Sequence, residues 1–303
     1  MSAALGAIVP IFALILLGCW LRRHAWMPET FWIGAERLVY WVLFPALLCL
    51  SIAAVDTARL PVGTIALALV AAIVVMTGLA LGLALASSLP RRQVTSIVQG
   101  CLRPNIYIGF AAVAALWQTP GSALFALAVA IAIPLVNLIA VVLLTRFDGG
   151  GGSWTATLRH IALNPIILGC VAGIVLSLAG IRPPQPVADT LKLLGQASLP
   201  LALLSVGVGL DFSLIRGARG PLAAASLAKL ALLPALTWVA GRALGLDPLA
   251  TAVCTLFNAL PASPSSYVMA RQMGGDHLLM AAILTLQTVL AAVSLPVLLT
   301  LLT

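Results

Sequence analysis

CLRPNIYIG, Cys101 to Gly109, is the stretch that decides how the rest of the chain is read. It lies in the middle of an apolar segment, Gln93 to Gln118, that is long enough to cross a bilayer. Arg103, Pro104 and Asn105 follow one another at its centre. Proline removes a backbone donor and crowds the preceding turn. An arginine near mid-membrane costs ~2.5–3.5 kcal/mol on insertion scales. A spanning helix broken at its centre survives only where the freed backbone is buried in protein or lines a wet cavity. A second such stretch, NALPASPSS from Asn258 to Ser266, stands 155 residues further on. Interrupted hydrophobic segments at corresponding places in two halves are the sequence mark of a transporter binding site.

Composition agrees with a membrane setting. The 303 residues are 62% hydrophobic and 8% charged, against roughly 25% charged in a soluble domain. The formal net charge of +8 comes mostly from arginines at segment ends, where they set topology. No basic cluster with interleaved aromatics occurs, so nucleic-acid binding is not expected. Cys19, Cys49, Cys101, Cys170 and Cys254 lie inside apolar segments without metal spacing and read as small buried hydrophobes. His24, His160 and His277 fall in loops or at segment ends. No metal and no cofactor is expected. The N-terminus lacks a basic leader and an A-x-A site before Leu21, so it reads as a first membrane helix.

With ~20 residues needed per span, the chain divides into about ten. The expected fold is an all-α integral membrane protein: two inverted five-helix repeats in which helices four and nine are broken and cross. Residues 1–146 form the first repeat, 147–153 (FDGGGGS) a flexible cytoplasmic linker, and 154–303 the second repeat. Leu17-Gly18-Cys19 recurs as Leu168-Gly169-Cys170, and Phe44-Pro45-Ala46-Leu47-Leu48 resembles Leu199-Pro200-Leu201-Ala202-Leu203. Arg103-Pro104-Asn105 falls opposite Asn258 to Pro261, and Pro134 opposite Pro296. An odd number of spans per repeat makes the second enter from the opposite side. Loops after odd-numbered spans carry Arg22, Arg23, Arg91, Arg92, Arg146, Arg159, Arg216, Arg219 and Arg271. The other side carries Arg59, Arg182, Lys192 and Arg242. This bias puts both termini on the non-cytoplasmic side.

The chemistry gathers at the two breaks. Half-helices restart near Asn105 and at Ser263-Pro264-Ser265, where Ser263 reads as an N-cap and Pro264 as the first helical position. Helix N-termini present unpaired N–H groups and a positive dipole end. Two of them beside Arg103 make a site for an anion, most simply a carboxylate, which arginine grips bidentately. The candidate substrate-binding residues are Arg103, Pro104, Asn105, Asn258, Pro261, Ser263, Ser265 and Lys229. Each has a structural reading beside the functional one. Arg103 could hold a carbonyl of the broken helix, and Asn105 and Asn258 could cap freed backbone. Lys229, in the eighth span, could attract the anion, replace a bound Na⁺ or H⁺, or pair with a carbonyl. Gln287 and Asn137 read as helix–helix hydrogen-bonding residues. Pro10, Pro45, Pro134, Pro200, Pro234 and Pro296 read as kinks, and Glu36 with Arg37 as an interfacial pair.

These residues resemble the auxin efflux carrier family of permeases, specifically its short bacterial members, over essentially the full length. The most specific pieces are Arg103-Pro104-Asn105 with Gly109, and Pro261 through Tyr267-Val268-Met269-Ala270-Arg271-Gln272-Met273-Gly274-Gly275. The family often has Arg-Gly-Asn where this chain has Arg103-Pro104-Asn105. The resemblance implies ten helices in two inverted repeats. Helices one, two, six and seven would form a scaffold that dimerises, and the others a transport domain moving as an elevator. It also implies a carboxylate substrate such as malate or malonate and a bacterial inner-membrane location. The fourth, eighth and ninth spans carry no Asp or Glu at their cores. The expectation is therefore uniport of a small organic anion through the lipid bilayer by a homodimer that is not an enzyme. A Na⁺- or H⁺-coupled symporter or antiporter of the same architecture is the alternative. Membrane-enzyme motifs such as H-E-x-x-H and G-x-S-x-G do not occur.

Overall fold

The computed structural model describes residues 2–87, 89–148, 159, 162–216 and 219–302. In chain order the helices are α1 (Ser2–Arg23), α2 (Glu29–Leu38), α3 (Phe44–Ala53), α4 (Val62–Ala86), α5 (Arg91–Leu102) and α6 (Ile106–Asp148). They continue as α7 (Pro165–Leu178), α8 (Gln185–Val208), α9 (Arg219–Leu227), α10 (Leu233–Ala243), α11 (Pro248–Ala259), α12 (Pro264–Met273) and α13 (His277–Leu302). No β-strand occurs among the described residues; one isolated antiparallel bridge joins Pro104 to Ala262. Phe147 and Asp148 complete α6, so the expected linker loses its first two residues to helix. Residues 149–153 lie outside the described residues.

Among the described residues, seven helical stretches are long and apolar enough to cross a membrane, including Ala4–Arg23, Val62–Ala86 and His277–Leu302. Helices α7 and α11 are apolar but shorter. One of the seven, Ile106–Leu144, is 39 residues long. It is interrupted at Gln118, whose backbone (φ 49°, ψ −135°) is not helical. The fourth and fifth segments read from the sequence thus meet at a sharp kink.

Proline explains two irregularities. A π-helical turn, Val39–Leu43, joins α2 to α3 just ahead of Pro45, and another, Ala228–Leu232, joins α9 to α10 just ahead of Pro234. A proline inside a helix cannot bond the carbonyl four residues back and its ring crowds that group. A wider turn relieves the clash. Three other helix starts use short polar caps: Asn164 Oδ1 accepts from Ile166 N at 2.9 Å, Asp247 Oδ1 from Ala250 N at 2.9 Å, and Asp276 Oδ1 from Leu279 N at 3.0 Å.

The chain divides into two compact units, each assembled from both sequence halves. The first comprises residues 1–63, 107–130 and 160–209. Its helices approach at glycines. A Cβ on Gly18 would overlap the Leu204 carbonyl, and one on Gly207 the Ile15 carbonyl, so α1 and α8 meet backbone to backbone. A Cβ on Gly169 would come within 2.7 Å of the Pro45 carbonyl oxygen, which places α7 equally close to α3. Small residues that let backbones touch are the usual device for packing helices in lipid, where no hydrophobic drive separates helix from solvent. Phe44, Tyr107, Phe110 and Phe125 form an edge-to-face chain through this unit, with ring centroids 4.8–5.9 Å apart.

The second unit comprises residues 64–106, 131–159 and 210–303. Here α5 and α13 are tied at their starts. Ser96 Oγ donates to the Asp276 carbonyl at 2.9 Å, and Asp276 N donates to the Arg92 carbonyl at 3.2 Å. The core of α11 and α13 includes Val253, Leu256, Phe257 and Ile283, all fully buried.

Candidate functional site

Every sequence-derived site residue falls in the second unit, around two helix interruptions. Helix α5 stops at Leu102 and α6 starts at Ile106, with Arg103 extended at the C-cap (φ −78°, ψ 115°). Helix α11 stops at Ala259 and α12 starts at Pro264, with Leu260 and Ser263 extended. The two connecting segments pair: Asn105 N donates to the Pro261 carbonyl at 2.8 Å, within the Pro104–Ala262 bridge.

Buried backbone groups must be paired, and at these interruptions side chains do the pairing. Gly100 is four residues before Pro104, which has no N–H to offer its carbonyl. Gln287 Nε2 supplies the missing donor at 3.1 Å. The same nitrogen reaches the Ala225 carbonyl at 3.2 Å, beside the π turn, and Gln287 Oε1 accepts from Ala262 N at 2.9 Å. Lys229 Nζ donates to the Leu102 carbonyl at 3.0 Å, at the C-terminal end of α5. A cation is favoured at that end of a helix dipole. Lys229 is fully buried, so of the three readings open from sequence the structure displays the carbonyl pairing. Gln287→Leu keeps much of the volume but takes their side-chain partner from the Gly100 carbonyl and Ala262 N, and one partner from the Ala225 carbonyl, which Cys101 Sγ also reaches. Each buried group left unpaired costs ~1–3 kcal/mol, so the variant is expected to melt well below wild type in a detergent thermal-shift measurement.

Arg103 is 7% exposed. Its Nη2 donates to Asn137 Oδ1 at 2.8 Å and to Ser265 Oγ at 3.2 Å, and its Nη1 meets Met269 Sδ at 3.2 Å. The guanidinium therefore joins α6, the first turn of α12 and the α5 interruption. Ser263 occupies the N-cap position of α12, but its hydroxyl pairs with Ser265 Oγ at 2.9 Å instead of capping an N–H. Ser265 is exposed and Ser263 partly so. Asn258 is fully buried two residues before its interruption and donates from Nδ2 to Thr237 Oγ1 at 2.8 Å.

The structure thus brings Arg103, Pro104, Asn105, Pro261, Ser263 and Ser265 together. Asn258 and Lys229 are held in the surrounding helices. Asn137 makes the interhelical hydrogen bond expected of it from sequence, and its partner is Arg103. Met269 and Thr237 were not singled out. Their signal was weak: one polar or sulfur atom in an apolar run has no distinctive spacing.

Among the described residues no group of three or more His, Cys, Asp or Glu could hold a metal ion.

Bilayer-length helices around a buried polar junction define a multi-pass membrane protein. Residues 152–299 match the family described as Membrane transport protein. This match agrees with the family resemblance read from the sequence. It is 26% identical over 290 residues to the "Putative malonate transporter" of Rhizobium meliloti (strain 1021), covering 90% of this chain and 88% of that relative.

Proposed function

We propose that the chain carries a small organic anion, a carboxylate or dicarboxylate, across the bacterial inner membrane. The observation that carries this reading is the Arg103–Ser265 contact at 3.2 Å. It joins a guanidinium to the first turn of α12, so a fixed positive charge and a helix N-terminus address the same point. Both attract anions, and the guanidinium fork matches a carboxylate. The relative named as a malonate transporter supports a dicarboxylate.

The α5–α6 and α11–α12 interruptions are read as the broken fourth and ninth of ten spans in two inverted repeats. Elevator motion is supported by how the two units divide the helices. Residues 1–63 and 160–209, spans one, two, six and seven, fall in one unit, and the candidate site falls wholly in the other. The first unit also takes residues 107–130, which the resemblance would have placed in the moving part. Dimerisation through the first unit, and termini on the non-cytoplasmic side, complete the reading. Uniport fits a site whose cores carry no carboxylate. Moving one negative charge outward releases ~2.3 kcal/mol per 100 mV, inside negative, which favours export.

The test is electrogenic transport in proteoliposomes without a Na⁺ or pH gradient, using malonate, malate, succinate, a monocarboxylate and indole-3-acetate. A saturable current for one or more acids is expected. Transport that appears only under a Na⁺ or pH gradient would replace uniport by the coupled alternative.

A further inference from the structure

One turn before Arg103 stands a residue that the site described so far does not use. Gln99 is 1% exposed, and neither its Nε2 nor its Oε1 has a hydrogen-bond partner among the described residues. It contrasts with Gln287, whose amide is fully engaged a few residues away in the same unit. Leaving both ends of a buried amide unpaired carries the full desolvation penalty of each group. Natural proteins keep such groups where something else pairs with them.

Gln99 and Arg103 line one crevice, with Leu102 beside them on α5 and Val136, Ile139 and Leu143 facing them from α6. The crevice has no room for a water molecule in this conformation, so solvent does not satisfy the amide here. One wall is polar at two points, Gln99 and Arg103, and the opposite wall is aliphatic. Residues four apart share a helix face, and the rise between them is ~6 Å. A short molecule with a polar group at each end can pair with both side chains.

We propose that Gln99 is a second substrate-binding residue, which pairs with the distal polar group of a bifunctional acid whose carboxylate Arg103 holds. This inference rests on the anion-carrier reading above and narrows it to three- and four-carbon diacids and hydroxy acids. The amide can donate from Nε2 to a second carboxylate and accept at Oε1 from a hydroxyl. The aliphatic wall contacts the short carbon chain and sets its length. A monocarboxylate engages Arg103 and leaves Gln99 unpaired, a loss that discriminates strongly in a site built to bond a polar group. Substrate enters when the α6 wall moves away.

The experiment measures KM for malonate, malate, succinate and acetate in proteoliposomes for wild type, Gln99→Leu and Gln99→Asn. Wild type is expected to prefer the bifunctional acids. Gln99→Leu should raise KM for malonate and malate at least tenfold and change acetate less than twofold, which collapses the preference. Gln99→Asn draws the amide back by one methylene and should shift the optimum from malonate toward succinate. Malonate-induced thermal stabilisation of each purified variant gives a binding readout independent of turnover. Unchanged selectivity in both variants, with wild-type transport intact, would overturn the role of Gln99 and leave the carrier reading standing. Wild type that moves none of the acids would overturn both.

Discussion

Arg103→Ala is expected to lower saturable anion transport by at least ~100-fold. The guanidinium donates to two side chains on separate helices and stands where the anion is proposed to bind. Hydrogen bonds to charged groups are worth ~1.5–3 kcal/mol each, and a bidentate grip on a carboxylate involves two. Losing both corresponds to a factor of hundreds or more. Arg103→Lys keeps the charge but not the planar fork, and should retain about a tenth of the activity with a raised KM. The controls are a detergent melting curve and anion binding by thermal shift. If Arg103→Ala melts early but still carries current with an unaltered KM, the arginine only braces α12 against α6. If it folds as wild type and fails to bind, the arginine belongs to the substrate site.

Gly207→Ala is expected to have the largest effect on folding. A methyl group there would collide with the Ile15 carbonyl and sit 3.0 Å from Cys19 N. Both are backbone atoms of α1, so no rotamer change relieves the clash. The helices must separate along their length, which undoes the reciprocal contact of Gly18 with Leu204. Inserting one methyl into a well-packed site costs ~1–3 kcal/mol where side chains can yield, and more where they cannot. Size-exclusion profiles of detergent extracts should show little monodisperse Gly207→Ala protein. Gly6→Ala, on the same α1, is the matched control, since nothing lies within 4 Å of its added Cβ. That variant should extract normally and gain slightly in helix propensity. Equal profiles for the two would show that α1 and α8 do not need this approach.

What the sequence made legible was chemistry with few alternatives. A chain with 8% charged residues can only bury its backbone in helices or a closed barrel when it enters lipid, and its long apolar runs pointed to helices. Pro104 next to a membrane-embedded arginine marked a special position, because a missing N–H and a misplaced charge each need a partner. The partners themselves were not legible. Gln287 supplies the donor that Pro104 lacks from 187 residues away, and no local spacing announces that match. Lys229 could equally face substrate or pair with a carbonyl, and no local spacing announces that it bonds the Leu102 carbonyl, 127 residues distant in sequence. Asn137 is one polar residue in a helix of aliphatic ones, and only the packing of α6 near α5 shows that it receives Arg103. The kink at Gln118 has no sequence mark that separates it from a loop, since the short polar run Gln118-Thr119-Pro120-Gly121 looks the same either way. The Gln99 amide escaped notice for the opposite reason: glutamine is an ordinary helix residue, and only burial without a partner distinguishes it.

The pairing of the two interruptions also bears on how the protein is made. Arg103 and its partner Ser265 are 162 residues apart. At ~5–20 residues per second of synthesis, the arginine waits on the order of 10–30 s before Ser265 leaves the ribosome. During that interval Asn137, only 34 residues downstream, is the first of its contacts to be made. The bridge from Pro104 to Ala262 likewise needs a residue made 158 positions later. The nascent first half therefore has to be held in the bilayer with an unfinished polar centre, and the candidate site is complete only when the last third of the chain arrives.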